Sequence, residues 1–484
     1  MVKTQFSALV RKPSFLLGLI LVAFLSREAF LVTLFPLFTG QDEARHYNTI
    51  QWLAEGRPES CERTASDEEQ DKENLGTYRF SQEIRETSVA ASLGIWREEN
   101  YRKPEFPTGN IGSNESAIRE HAWTREMVAC PPDIAANAQH FSLFHWLGSL
   151  IEKSWSDADI LTRFYLIRLM GILLGALTVM LAYFASVEAG LSYRASLLIA
   201  FMLSLQPKLS VYTTNINYDV ILIPCFTLFT FAGLHLLKHG VTPWNALLLI
   251  LAITGATLTK GTGLILFGGV LFLVAWVIFY HGQNWWRKLS RIQWLFGITF
   301  IVGLGSALIA LYSLFSLFPS LHPTSLFEYL GKSIPKIPSS STNFWGVISW
   351  TAANHSHWFV WVIWAIEALA LFGLFRFFRE KNQRDHLPTK STALFLLTLF
   401  FSLQFGVRLH DWHVFQETGS LALGTPGRYF LPTFLSQLLL LAIGLGALLK
   451  RPLFLERALV AFALLLLAFN LYTTWLIILP RFYL

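Results

Sequence analysis

A chain of 484 residues that is 53% hydrophobic, only 14% charged and has a mean hydropathy of +0.44 is too apolar for an all-aqueous surface and must use lipid as its main solvent. Its apolar runs are long and do not alternate, which excludes β-barrel spans. The net charge of +6 does not point to nucleic acid: the surplus Lys and Arg sit in short turns between apolar runs, while about two-thirds of the Asp and Glu fall between Asp42 and Asp159.

Taken in chain order, Lys3, Arg11 and Lys12 precede an apolar stretch from Ser14 to Phe38. That stretch is too long for a signal h-region and has no small-residue cleavage site, so it reads as an uncleaved first span. Residues 39–161 then form one large loop, too long for an ordinary connection. In it, Tyr47, Ile50, Leu53 and Ala54 recur at helical spacing before Gly56, predicting an amphipathic helix from Ala44 to Glu55 lying on the membrane surface. Residues 59–126 read as short helices and irregular loops with partial disorder, and the aromatic run from Phe141 to Leu147 suits the membrane interface. Cys61 and Cys130 share the loop, as a disulfide or as two free thiols, and Cys225 lies in an apolar run.

Beyond the loop, spans are predicted at 162–187, 195–214, 218–237, 244–259, 262–280, 294–317, 358–378, 391–407, 428–449 and 456–479, about eleven with the first. Lys238, the turn Arg287, Lys288 and Arg291, the basic turn from Arg376 to Lys390, and Lys450 with Arg451 fall on one side. The acidic loop, the Lys260 turn and the loops 318–357 and 408–427 fall on the other. By the positive-inside rule the N-terminus is cytoplasmic and the C-terminus extracytoplasmic, in an inner cell membrane. The predicted organisation is all-α: a first span (1–38), an extracytoplasmic loop carrying the active-site carboxylates (39–161), a membrane core (162–317) and a C-terminal membrane region (318–484).

Several polar residues stand where chemistry is affordable. Asp42 and Glu43, with Arg45 and His46, lie just outside the first span and can supply a base, a metal ligand and an anion contact, or can simply cap a helix at Asp42. Arg27, Glu28, Arg168 and Glu367 interrupt apolar spans, where a charge costs about 2.5–3.5 kcal/mol at a helix centre and must face protein or water. For Arg27 and Glu367 a buried structural ion pair is the preferred reading. Asn217, Tyr218 and Asp219 follow Pro207 at an outer span end, as the lining of a cavity or as a polar turn. Lys260 and Arg428 map to outer helix ends, where each can bind a lipid phosphate or merely snorkel to the interface. The pairs His355/His357 and His410/His413 lack a ligand framework and read as interfacial.

These fragments together resemble the GT-C superfamily of membrane glycosyltransferases. An Arg in the first span, Asp42-Glu43 followed by Arg45 and Tyr47, Arg168-Leu169-Met170-Gly171, Pro207 with Asn217-Tyr218-Asp219, and Thr259-Lys260 are similar to the protein O-mannosyltransferases and aminoarabinose transferases. The stretches Asn343 to Trp350 and Thr425 to Pro432 resemble an allied bacterial membrane family of unknown function. The resemblance implies an inverting transfer of a sugar from a polyprenyl-phosphate donor to an extracytoplasmic cell-envelope acceptor. It makes Asp42 the general base with Glu43 beside it, and Arg45, His46, Arg168, Asn217, Asp219, Lys260 and Arg428 contacts for substrate or lipid phosphate. It leaves a divalent metal open, since some members use one and others do not. A transporter or flippase for a lipid-linked or anionic solute, and a non-catalytic envelope scaffold, are the competing readings; no internal repeat of the kind transporters show is evident.

Overall fold

The computed structural model describes residues 12–38, 40, 42–56, 81–90, 118–119, 125, 142–281, 323–346, 357–380, 387–419, 421 and 427–480. Among them every regular element is helical. The first span is α1 (Pro13–Leu34); α2 (Glu43–Ala54), α3 (Gln82–Ala90) and α4 (Leu143–Ser154) belong to the large loop. The membrane core follows as α5 (Ile160–Glu188), α6 (Tyr193–Ser204), α7 (Pro207–Thr214), α8 (Asp219–His239), α9 (Pro243–Thr259) and α10 (Leu266–His281). After α11 (Pro323–Ser333) and α12 (Ile337–Gly346) come α13 (His357–Arg379), α14 (Lys390–Thr418), α15 (Phe434–Leu449) and α16 (Pro452–Thr473).

Eight helices among the described residues are long and apolar enough to cross a membrane, and the bent pair α6 and α7 would make nine. The shorter α9 falls on a further predicted span, so every predicted span is helical except 294–317, which lies outside the described residues. The chain is an all-α, multi-pass membrane protein. Its layering follows from which spans are apolar all round: 89% of the best window of Gly427–Leu449 and 72% of that of Asp219–His239 are buried, against 28–44% for the other long spans. α15 and α8 are therefore the inner helices, and the outward Leu, Phe and Trp side chains of the others, such as Leu173, Phe372, Phe405 and Trp475, face lipid. α5 packs along α8, and α13 along α15, where Gly373 and Gly444 allow the two backbones to touch: a Cβ on Gly373 would come within 1.9 Å of the Gly444 carbonyl oxygen.

Three expectations are corrected. The span 195–214 is not continuous but bends by 60° between α6 and α7. Pro207 cannot continue the ladder of α6, and the N–H groups of Lys208 and Leu209 turn to Gln206; the carbonyls the break leaves open are taken up from other spans, Arg27 donating to Ser204 O and Asn470 Nδ2 to Leu205 O. Arg27 also pairs with Glu28, whose carboxylate accepts from Ser210 Oγ and Thr213 Oγ1, both at 2.9 Å. This ion pair in the first span holds the break in the third. The helix after Asp42, expected to lie on the membrane surface, is instead enclosed: nine of the twelve residues of α2 are buried, against α4 and the Ile84, Ile118 and Phe164 side chains. Finally, α14 runs on to Thr418, so His410 and His413 sit on a helix and not in a loop 408–427.

A buried polar knot anchors the loop elements to the membrane core. Arg163, at the start of α5, pairs with both Glu152 of α4 and Glu83 of α3, while Tyr47 Oη of α2 donates to Glu152 at 3.1 Å and Gln51 Nε2 to Glu83 at 2.6 Å. One side chain thus fixes three helices, and removing it would leave Glu152 buried without its paired cation and Glu83 with Arg125 at 3.8 Å. Of the remaining sequence expectations, Cys61, Cys130, His355 and most of 59–126 lie outside the described residues.

Candidate functional site

The chain enters the loop through a strained turn. Phe38 and Asp42 both have positive φ, 60° and 56°, a left-handed conformation that side chains with a Cβ rarely adopt and that must be held by its surroundings. What holds it is Glu43. Its carboxylate is fully buried, accepts from the backbone N–H of Gly40 at 3.0 Å and of Ile216 at 2.9 Å, and takes a two-pronged pair from Arg168 Nε and Nη2, each at 2.9 Å. Arg168, equally buried, spends its other donors on the carbonyls of Val32, Phe35 and Pro36 and on Asn215 Oδ1. Gly171, one turn further along α5, lets α7 approach so closely that a Cβ there would stand 2.7 Å from the Thr213 carbonyl oxygen. The Glu43–Arg168 clamp therefore joins the end of α1, the start of α2, α5 and the segment after α7.

The neighbouring carboxylates are consequently in different environments. Glu43 is saturated with donors. Asp42 occupies the N-cap position of α2, but its side chain makes no capping hydrogen bond; it is 31% exposed, with Arg45 Nη1 4.0 Å away. Two adjacent acids with such unlike surroundings suit unlike roles, one structural and one reactive.

Around this turn the nearby helix ends bring cations together. Lys260, after α9, donates to Asp219 Oδ1 at 3.0 Å and lies 4.7 Å from the Tyr218 ring centroid and 4.6 Å from that of Tyr429. Asn217 is buried and accepts from the Asp219 backbone N–H at 2.8 Å, shaping the start of α8. Arg428, in the 3₁₀ turn Gly427–Thr433 ahead of α15, contacts the Tyr429 ring at 5.0 Å, and its Nη2 donates to Tyr429 Oη at 3.3 Å. Its Nε and Nη1 are buried and, among the described residues, have no hydrogen-bond partner; the Tyr212 hydroxyl shares that state. Lys208 of α7 is also buried and lies close enough to Arg428 for their charges to repel.

His46 borders the same cluster. Its Nδ1 is 3.0 Å from His145 Nε2, whose own Nδ1 is 3.0 Å from Ser142 Oγ, and its ring packs edge-on against Tyr218 at 4.6 Å. Burial, then His145, then the charges of Lys260, Arg428 and Arg45 hold His46 well below the usual imidazole range, and burial pushes His145 down to about 4. Both rings are neutral at physiological pH, so one accepts a hydrogen bond from the other.

Of the residues singled out in the sequence, Arg45, His46, Asn217, Asp219, Lys260 and Arg428 thus gather at one end of the bundle, near Asp42. Arg168 does not open onto them: every donor it has is engaged by protein. Lys208, Tyr212 and His145 were not singled out. A signal for Lys208 existed, a lysine directly after Pro207 inside an apolar run, where a cation is costly unless it has work to do. The other two are ordinary interior side chains in the sequence and gain meaning only from the packing. Among the described residues, the three-residue grouping of His, Cys, Asp or Glu able to hold a metal, Glu188, His235 and His239, stands at the other end of α8.

Residues 149–318, from within α4 through α10, match the family model of dolichyl-phosphate-mannose-protein mannosyltransferase. That stretch is therefore similar to a family of the GT-C membrane glycosyltransferases. The matched stretch carries Arg168, Lys208, Asn217, Asp219 and Lys260 but stops short of Arg428 and begins after Asp42. No curated protein and no solved structure matches the chain.

Proposed function

We propose that this membrane glycosyltransferase takes its sugar from a polyprenyl-phosphate donor and passes it, with inversion at the anomeric carbon, to an acceptor of the cell envelope on the extracytoplasmic side. The observation that carries the reading is Arg428, whose buried Nε and Nη1 have no hydrogen-bond partner among the described residues, set among Lys208, Lys260 and a Tyr212 hydroxyl in the same state. A buried guanidinium with idle donors is costly as it stands, and a phosphate oxyanion is the ligand whose geometry and charge it fits. Arg45 pairs with Asp42 and Lys260 with Asp219, so Arg428 is left as positive charge for an anionic leaving group, with Lys208 buried near it.

In this mechanism Asp42 removes the proton from an acceptor hydroxyl as its oxygen forms a bond to the anomeric carbon. The bond between that carbon and the phosphate oxygen breaks on the opposite face, and its electron pair leaves with the lipid phosphate, where Arg428, Lys208 and Lys260 stabilise it. Glu43 and Arg168 do not touch substrate; they fix the turn that presents Asp42. Neutral His46 can hold the acceptor or donor sugar by hydrogen bonding without adding charge.

The test is sugar transfer by the purified protein from a defined polyprenyl-phosphate donor, with donor affinity measured in parallel. Asp42→Asn should abolish turnover and leave donor affinity within a few fold. Arg428→Met should weaken donor binding by about 10- to 150-fold, the worth of a charge-assisted hydrogen-bond set of about 1.5–3 kcal/mol. Near-normal turnover with Asn at position 42 would refute the base assignment. Movement of the intact donor across the membrane without sugar release would favour a flippase.

A further inference from the structure

At the end of α8 opposite the cation cluster, Glu188, His235 and His239 converge. The two histidines are one helical turn apart on α8 and so share a face, with ring centroids 4.3 Å apart; Glu188 is the last residue of the neighbouring α5. One ligand atom from each lies within 4.8 Å of the other two. Glu188 Oε2 is 3.1 Å from His239 Nε2, and Glu188 Oε1 is 3.5 Å from His235 Nδ1. A tetrahedral ion with bonds of about 2.0–2.1 Å would put its ligand atoms about 3.3 Å apart, close to the two carboxylate–imidazole distances, and small side-chain rotations would draw the set in from its 4.8 Å span.

A plain alternative is a helix-end ion pair: His239 and Lys238 sit in the last turn of α8, where cations suit the helix dipole, and Lys238 Nζ is 3.5 Å from Glu188 Oε2. That account takes in His235 only weakly: its buried Nδ1 stands 3.5 Å from Glu188 Oε1 and reaches no well-formed hydrogen bond among the described residues. An ion bound between the carboxylate and the two imidazoles would engage all three side chains at once, with His235 bound through Nδ1 as a neutral ring.

We infer that Glu188, His235 and His239 form a binding site for a divalent transition-metal ion of the zinc class, on the membrane face opposite the sugar-transfer site. Imidazole and carboxylate donors together suit Zn²⁺ better than Mg²⁺ or Ca²⁺, and three protein ligands leave a fourth position for water. The ion takes over the neutralisation of Glu188 from Lys238, which is 47% exposed and free to turn into water. It ties the end of α5 to the end of α8. With about 1.5 Å of rise per residue, the 16 positions from Asp219 to His235 separate it from the cation cluster by roughly 24 Å, so it stands apart from the chemistry.

The test titrates Zn²⁺ into the full-length protein in detergent against a chromogenic chelator, and follows the thermal midpoint with and without Zn²⁺. Wild type should hold one equivalent more than His235→Ala/His239→Ala, and only wild type should gain thermal stability on adding Zn²⁺. Glu188→Gln should weaken binding at least tenfold, and Lys238→Ala should tighten it by removing the competing cation. Should the double variant fold poorly, the Glu188→Gln and Lys238→Ala proteins carry the comparison. Equal Zn²⁺ binding by wild type and the double variant would overturn the proposal, as would Lys238→Ala and Glu188→Gln proteins that both bind as wild type does.

Discussion

Replacing Arg168 with Leu gives the sharpest test of how the candidate site is held. Among the described residues, the substitution removes the one cation paired with Glu43, leaving that carboxylate fully buried with the N–H groups of Gly40 and Ile216, and strips the carbonyls of Val32, Phe35 and Pro36 of a donor. Breaking a buried pair by removing one partner costs about 3–5 kcal/mol, equivalent to roughly a 10²- to 10⁴-fold loss in the folding equilibrium, and is a large share of the stability of a typical domain. The comparison protein is Arg457→Leu, whose guanidinium is exposed on α16 and whose loss should cost no more than about 0.5 kcal/mol. Reversible unfolding in mixed detergent reads both, and a double-mutant cycle with Glu43→Gln should show strong coupling, the pair together costing less than the sum of its parts. At equal folded concentration the Arg168 variant should also turn over more slowly, because the turn bearing Asp42 loses its brace. An Arg168→Leu protein within 1 kcal/mol of wild type and additive with Glu43→Gln would refute the clamp.

Three other outcomes follow from the packing. Because His46 and His145 are held neutral, with folded values below the usual 6.5, the unfolded chain binds more protons than the native one between pH 6.5 and about 4; stability should be complete above pH 6.5 and fall progressively toward pH 4, and His145→Gln should flatten that fall in a pH series of thermal midpoints. Gly171→Val should be destabilised by about 1–3 kcal/mol and lose activity at equal folded amount, since a Cβ there meets backbone at 2.7 Å and not a side chain that can turn away; a well-folded, fully active variant would show that α5 and α7 do not touch in this way. Asn470→Leu should lower the thermal midpoint of the detergent-purified protein, because it leaves the Leu205 carbonyl at the bend between α6 and α7 without its donor; an unchanged midpoint would mean that the bend does not need it.

That lipid is the solvent of this chain, that most of its apolar runs are helical and that charge gathers at particular helix ends are all legible in the sequence. Those properties are local: twenty apolar residues in a row demand a helix in hydrocarbon wherever they fall in the fold, and Asp42, Lys260 and Arg428 are conspicuous because they stand beside such runs. What a charge is for is not local. Glu43 and Asp42 are adjacent and chemically alike, and nothing in their order separates them; 125 residues away Arg168 closes on one and leaves the other accessible. Likewise the span with Pro207 reads as one helix until Arg27 and Asn470, from the first and last spans, are seen to supply the donors that let it bend. Lys208, Tyr212 and the His46–His145 pair acquire their place by the same route. Only the tertiary structure brings hydrogen-bond partners together across hundreds of residues, and in a low-dielectric interior those partners decide whether a buried charge is a brace or a reactive group.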